Sequence, residues 1–180
     1  MVGEELHAQT DLPDSPVVSG LDPDLFREGE ALDVDGDLGR VGLETVREIR
    51  VVTSLIERGD GKLLLLRRSD QVGSFRGRWA GVSGFLEDPT EEAQARREIL
   101  EETQIPSADL DLVARGRTVY ARDEDRIYAA APFRFRTRST DVRLDWEHTE
   151  YRWIDPEELG RFSTVPKLDR VWKAVSSPSV

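Results

Sequence analysis

Glu98, Glu101 and Glu102 stand in the run Arg97-Glu98-Ile99-Leu100-Glu101-Glu102. Residues three and four apart are neighbours on a helix surface, so a helix here crowds three carboxylates together. Like charges at that spacing cost a bare helix about 0.2–0.5 kcal/mol per pair. A hard divalent cation held by oxygen ligands would turn that repulsion into attraction. The competing reading is a solvated acidic face, the ordinary fate of a charge run.

The surrounding pattern supplies elements that could hold such a cluster. Asp88 is placed to cap a helix, with Pro89 at its first position and Glu91 three residues after the cap. Ala95 and Ile99, one turn apart, would pack that helix on a sheet through a face opposed to much of the carboxylate cluster. Before it, the β-prone residues 51–56, the turn Gly59-Asp60-Gly61 and the apolar residues 62–66 read as a hairpin leading to Arg67 and Arg68. Residues 71–81 read as a Gly/Arg loop carrying Trp79. Strands are expected at 112–114, 118–121, 126–136 and 150–154. Asp155-Pro156-Glu157-Glu158 repeats the cap pattern and opens a short helix. Leu168, Val171, Trp172 and Val175 follow the i, i+3, i+4, i+7 stripe of a helix docked on the body. Strands, a long helix, more strands and a last helix suggest an α/β sandwich with a mixed sheet.

From Gly84 to Ile105 the chain resembles the signature box of the Nudix hydrolases, a glycine-started loop and helix ending in Arg-Glu-apolar-x-Glu-Glu-x-Gly-apolar. Arg97, Glu98, Ile99, Glu101, Glu102 and Ile105 are in register with that ending, and Ser83-Gly84-Phe85-Leu86-Glu87 precedes them. Two departures stand out. Gln104 occupies the place of the final glycine, so the helix is expected to end without its usual left-handed residue. The loop is one residue short, so the mid-box Glu has no clean counterpart and Asp88 or Glu87 must stand near it. The resemblance covers roughly residues 48–175 and implies a Nudix-type α/β/α sandwich.

Its chemical implication is hydrolysis of a phosphoanhydride bond in a nucleoside diphosphate derivative, with Mg²⁺ as cofactor and Mn²⁺ able to substitute. By resemblance, Glu98 and Glu102 are the principal metal ligands and Glu101 a third, with a backbone carbonyl near Gly84 completing the set. Arg97 would orient the cluster by pairing with a neighbouring carboxylate, Glu98 among the candidates. The general base is Glu98 or a carboxylate of the later segment Asp145-Trp146-Glu147-His148-Thr149-Glu150, with Glu147 preferred over Glu150. His148 could titrate near neutrality but reads as a paired residue rather than a ligand. Arg67, Arg68, Arg76 and Arg78 precede the box; of these Arg68, ending the second strand, is the foremost phosphate clamp, with Arg78 beside it. Tyr120, Phe75 and Tyr128 could stack a base, against the plainer reading of core or rim packing. The rival function is a Nudix-fold module that binds or senses a nucleotide without turnover, which Gln104 and the shortened loop keep in view. Relatives that isomerise isopentenyl diphosphate rely on a cysteine, and this chain has none.

The absence of cysteine also removes a disulfide framework, Cys-ligated zinc and a thiol nucleophile, and a cytoplasmic location is the default expectation. No apolar run is long enough to span a bilayer, and no basic cluster with interleaved aromatics points to nucleic acid. A small-molecule nucleotide is the expected partner, and a homodimer is compatible with the sequence. The net charge of −11 is unevenly placed: residues 1–45 hold 12 Asp or Glu against two Arg, and the remainder 24 against 23 basic residues. Residues 1–40, rich in Asp, Gly, Pro and Ser, read as an acidic extension, disordered or loosely draped, ahead of a domain at 41–180. Asp33-Val34-Asp35-Gly36-Asp37 lacks the glycine position and terminal Glu of an EF-hand loop, and a solvated turn is the better reading. A chain beginning near Val41 should therefore fold and hydrolyse its substrate with a similar rate constant, as melting and steady-state kinetics would show. Aggregation or loss of activity would make the extension part of the domain.

Overall fold

The computed structural model describes residues 47–123 and 126–176; the acidic extension and the Asp33–Asp37 segment lie outside them. The strands are β1 (Arg47–Glu57), β2 (Leu63–Arg68), β3 (Trp79–Ala80), β4 (Val82–Phe85), β5 (Leu110–Arg115), β6 (Val119–Asp123), β7 (Arg126–Thr137) and β8 (His148–Ile154). The helices are α1 (Glu91–Thr103) and α2 (Leu168–Ser176), with 3-10 turns at Ser107–Asp109 and Pro156–Arg161.

Side chains of a strand alternate between faces, and here that alternation builds two cores. Val52 and Ile56 of β1 and Leu64 and Leu66 of β2 join Ala95 and Ile99 of α1. Leu55 of β1 and Leu63 and Leu65 of β2 join Leu168, Val171 and Val175 of α2. One helix therefore covers each face of the sheet, which is why these strands are apolar at consecutive positions rather than alternate ones. A side chain as fully buried as Ile99 stabilises the fold by about 1.5–3 kcal/mol. The architecture is an α/β/α sandwich around a mixed sheet of eight strands, with β3-β2-β1-β7-β5 as its main path. No helix among the described residues is long and apolar enough to cross a membrane.

β1 organises the sheet. One edge runs parallel to β7 from Arg47 opposite Arg126 to Glu57 opposite Arg136. The other edge is divided, with Val51 to Ser54 facing β4 and Glu57 facing Leu63 of β2. The strands β3 and β4 were not expected, since residues 71–81 and the start of the box read as loop. Gly81 joins them, and a Cβ there would lie 2.6 Å from the Ser54 carbonyl oxygen. Its absence lets the chain pass against β1 and begin β4, which carries Ser83 and Gly84 under α1.

Two expectations about α1 are corrected. Its N-cap is Thr90, whose Oγ1 accepts the Ala93 N–H at 3.2 Å, and Asp88 is drawn into an ion pair with Arg97 instead. Its C-terminal end does have a left-handed residue: Gln104 takes φ 58° and ψ 17°, and its N–H donates to the Leu100 carbonyl at 2.9 Å. The helix-ending hydrogen bond is thus made without glycine, at the steric cost of a Cβ in that region. Gln104 is exposed, so Gln104→Gly sacrifices no packing. It should raise the unfolding free energy by about 1 kcal/mol in urea denaturation; an unchanged midpoint would show that the position is not strained.

Candidate active site

The three helix carboxylates differ in depth. Glu101 is exposed, Glu98 half-buried and Glu102 only 3 % exposed. Ala95, Ile99 and Glu102 are spaced by four and three residues, so Glu102 falls on the helix face that packs against the sheet. Ala95 and Ile99 are expected to oppose much of the carboxylate cluster; Glu102 is the member that shares their buried side. Its Oε1 accepts the Ser83 N–H of β4 at 3.3 Å, while its Oε2 is buried without a hydrogen-bond partner. Burial, with Glu98, Asp145 and Glu147 nearby, pushes the Glu102 carboxyl well above its ordinary pKa.

Glu98 sits between α1 and β4. Its Oε1 accepts Gln94 Nε2 at 2.6 Å. Burial raises its pKa, and the Gln94 hydrogen bond opposes the rise. A Cβ on Gly84 would fall on the Glu98 carboxyl group, so glycine is what admits that side chain. Among the described residues no three acidic or histidine side chains form a ready-made metal-binding group. A hard cation nevertheless fits the donors present: a carboxylate oxygen without a partner, a second carboxylate one turn away, and main chain open to close approach at Gly84.

Arg97 does not hydrogen-bond Glu98, contrary to one expected pairing. It reaches Glu87 at 3.0 Å, Asp88 at 3.2 Å and Glu101 at 4.0 Å. Both acids of the shortened loop thus pair with Arg97.

The segment before and into β8 supplies the opposite wall. Glu147 lines the cavity, with its N–H donated to Asp145 Oδ1 at 3.1 Å and its carbonyl accepting the Ser69 N–H at 2.7 Å. His148 is buried between acids, Nδ1 lying 3.0 Å from Asp145 Oδ1 and Nε2 3.6 Å from Glu102 Oε2. Burial lowers its pKa, against the pull of Asp145. Glu150 is engaged elsewhere, 2.7 Å from Arg152 and 3.6 Å from Arg67. The Arg152 hydrogen bond holds it below the usual carboxylate range.

These walls enclose a cavity of about 440 Å³ that Glu98, Glu101, Arg97, Glu147, Gly84 and Arg68 all line. Arg68 also donates through Nε to the Ser74 carbonyl at 3.0 Å, bracing the loop that leads to Phe75. Phe75, at φ 50°, meets Tyr128 edge to face with centroids 6.5 Å apart, and both line the cavity. Two expected substrate contacts are not among the lining residues. Arg78 donates to the Thr164 carbonyl at 3.2 Å and fastens that segment. Tyr120 opposes Ala129, whereas its neighbour Ala121 opposes Tyr128 and lines the cavity; alternation puts Tyr120 on the other face. Sequence reasoning missed Gln94 and Asp145. Gln94, four residues before Glu98, carried a spacing signal; Asp145 carried none.

Residues 47–175 match the NUDIX domain family. The chain is 32 % identical over 124 residues to the nucleoside triphosphatase NudI of Escherichia coli O81 (strain ED1a), a match spanning 63 % of this chain and 86 % of the relative. The MutT protein of Methanosarcina mazei Go1 superposes with a TM-score of 0.59 at 28 % identity, over 69 % of this chain and 88 % of that one. A C. elegans Ap4A hydrolase shares the fold, with a TM-score of 0.60 at 19 % identity, over 70 % of this chain and 93 % of that one. The chain belongs to the Nudix family and is a hydrolase acting on phosphoanhydride bonds.

Proposed function

We propose that this protein is a Mg²⁺-dependent pyrophosphohydrolase of a nucleoside diphosphate linked to another group, a class that includes nucleoside triphosphates. The observation that carries the reading is the buried Glu102 carboxylate, whose Oε2 has no hydrogen-bond partner, one helical turn from Glu98 at the cavity wall. Ionised, such a group is costly unless a cation faces it. The similarity to a nucleoside triphosphatase supports a nucleotide substrate, and the aromatic pair Phe75–Tyr128 offers a surface on which a base could rest.

In this reading Glu98, Glu102 and Glu101 hold Mg²⁺ or Mn²⁺, with the Gly84 main chain completing the set. A bound divalent cation supplies charge neutralisation, polarisation of a phosphoryl oxygen and acidification of water. Arg68 orients a phosphate at the far wall, and Arg97 fixes the loop acids. Glu147 takes the proton of the attacking water at a carboxylate oxygen. His148, held by Asp145, positions Glu102 rather than contacting substrate. The binding-only alternative is less favoured, because Gln104 takes the left-handed conformation that the loss of glycine had put in doubt.

Glu98→Gln and Glu102→Gln should each lower turnover at least ~10²-fold with Mg²⁺ saturating and the fold intact. In the same assay of released phosphate, Glu147→Gln should depress kcat far more than Glu150→Gln. Near-normal rates in both helix variants would sink the ligand assignment; damage from Glu150→Gln alone would move the base to that residue.

Glu102→Gln should also stabilise the metal-free protein at neutral pH, by about 1–3 kcal/mol. The sign follows from linkage. Glu102 binds its proton more tightly folded than unfolded, so its ionisation destabilises as pH rises from the ordinary carboxylate range through the raised folded value. Thermal melts of parent and variant should therefore converge toward acid pH and separate toward neutrality. A difference independent of pH would show that the Glu102 charge is not what destabilises the empty site.

A further inference from the structure

Gln94 is 0 % exposed on the inner side of α1, where every polar atom of an amide needs a partner. Its Oε1 accepts the backbone N–H groups of Glu87 and Asp88, both at 2.8 Å. Two N–H donors can face only an oxygen, so the main chain fixes which way the amide points. The Nε2 end is thereby turned to Glu98 and donates to Oε1 at 2.6 Å. The residues whose N–H groups it binds are also those whose side chains meet Arg97 at 3.0 and 3.2 Å. One amide thus joins the loop main chain to a helix carboxylate, and the close approach of Gly84 restricts that carboxylate further.

We propose that Gln94 is a positioning residue for the cation site, its amide locking the Glu98 side chain against the loop at Glu87 and Asp88 so that Glu98 meets a divalent cation already oriented. The proposal rests on the reading of Glu98 as a cation ligand. A glutamate free to rotate loses that freedom when it binds an ion, whereas one already held has little left to lose. Partners that orient ligands in this way typically govern metal affinity by 10–100-fold.

The test measures Mn²⁺ binding to the full-length protein by calorimetry without substrate, in the parent, Gln94→Leu, Glu98→Gln and the double variant. Leucine fills similar volume and keeps helix propensity but forms no hydrogen bond. Gln94→Leu should weaken Mn²⁺ binding at least ~10-fold, while the substrate KM at saturating Mn²⁺ stays near the parent's. Because Gln94 acts through Glu98, the double variant should bind no more weakly than Glu98→Gln alone. Parent-like affinity in Gln94→Leu, or losses that add in the double variant, would overturn the proposal and leave Gln94 as a packing residue. Parent-like affinity in Glu98→Gln would instead remove the ligand reading, and this proposal with it. Should Gln94→Leu fail to fold, Gln94→Met, unbranched and of similar size, carries the same comparison.

Discussion

A carboxylate brought into the interior on a packing face of a helix must be compensated, or it opposes the packing that buries it. Glu102 imposes that requirement here, and the neighbouring architecture meets it only in part. One oxygen is satisfied by the main chain of β4, and the other has no hydrogen-bond partner, with His148 Nε2 3.6 Å away. The placement of β4 under α1, the glycine at 84 and the buried His148 paired with Asp145 all make sense as the surroundings of this group. The fold holds a carboxyl group where a packed core alone would place an apolar side chain. A cation between enzyme and polyphosphate would relieve both the burial and the repulsion.

The sheet makes this arrangement possible because β1 is shared. From Val51 to Ser54 it lies between β7 and β4, and only at Glu57 does it turn into the hairpin with β2. Gly84, paired with Val52 of β1, therefore lies on the same face of the sheet as Val52 and Ile56. There α1 can lay its polar half over the strand and its apolar half over the core. Rigid strands on one side and a docked helix on the other fix the carboxylates more tightly than loops would.

Much of this was legible in the residues. The apolar runs of β1, β2, β7 and β8, the stripe of α2 and the spacing of the helix acids are local signals, and each found its element. The misses share a physical cause, since each turns on a contact that residue type alone does not specify. Asp88 had the chemistry of a cap, but Arg97 competes for it and Thr90 caps instead. Gln104 lacked the residue type for a left-handed turn, yet the hydrogen bond to Leu100 and the return of the chain into the core at Ile105 hold it there. The strand at Trp79–Ala80 is too short to show a period and exists through pairing with Leu66 and Arg67. Tyr120 and Tyr128 are indistinguishable by composition; only register with β7 decides which one faces the cavity.

The stretch from Ser163 to Pro166 links two layers usually considered separately. The Trp79 N–H donates to the Ser163 carbonyl and the Val165 N–H to the Trp79 carbonyl, Val165 and Pro166 line the cavity, and Leu168 opens α2 in the second core. A helix on the face remote from the carboxylates is thereby spliced, within three residues, to the wall against which a substrate would lie. Opening of α2 would not remain a local event of the far layer, because it would release that wall as well. Hydrogen exchange at the Trp79 and Val165 amides should then track the docking of α2, so that the cooperative unit containing the cavity extends through the sheet to its opposite side.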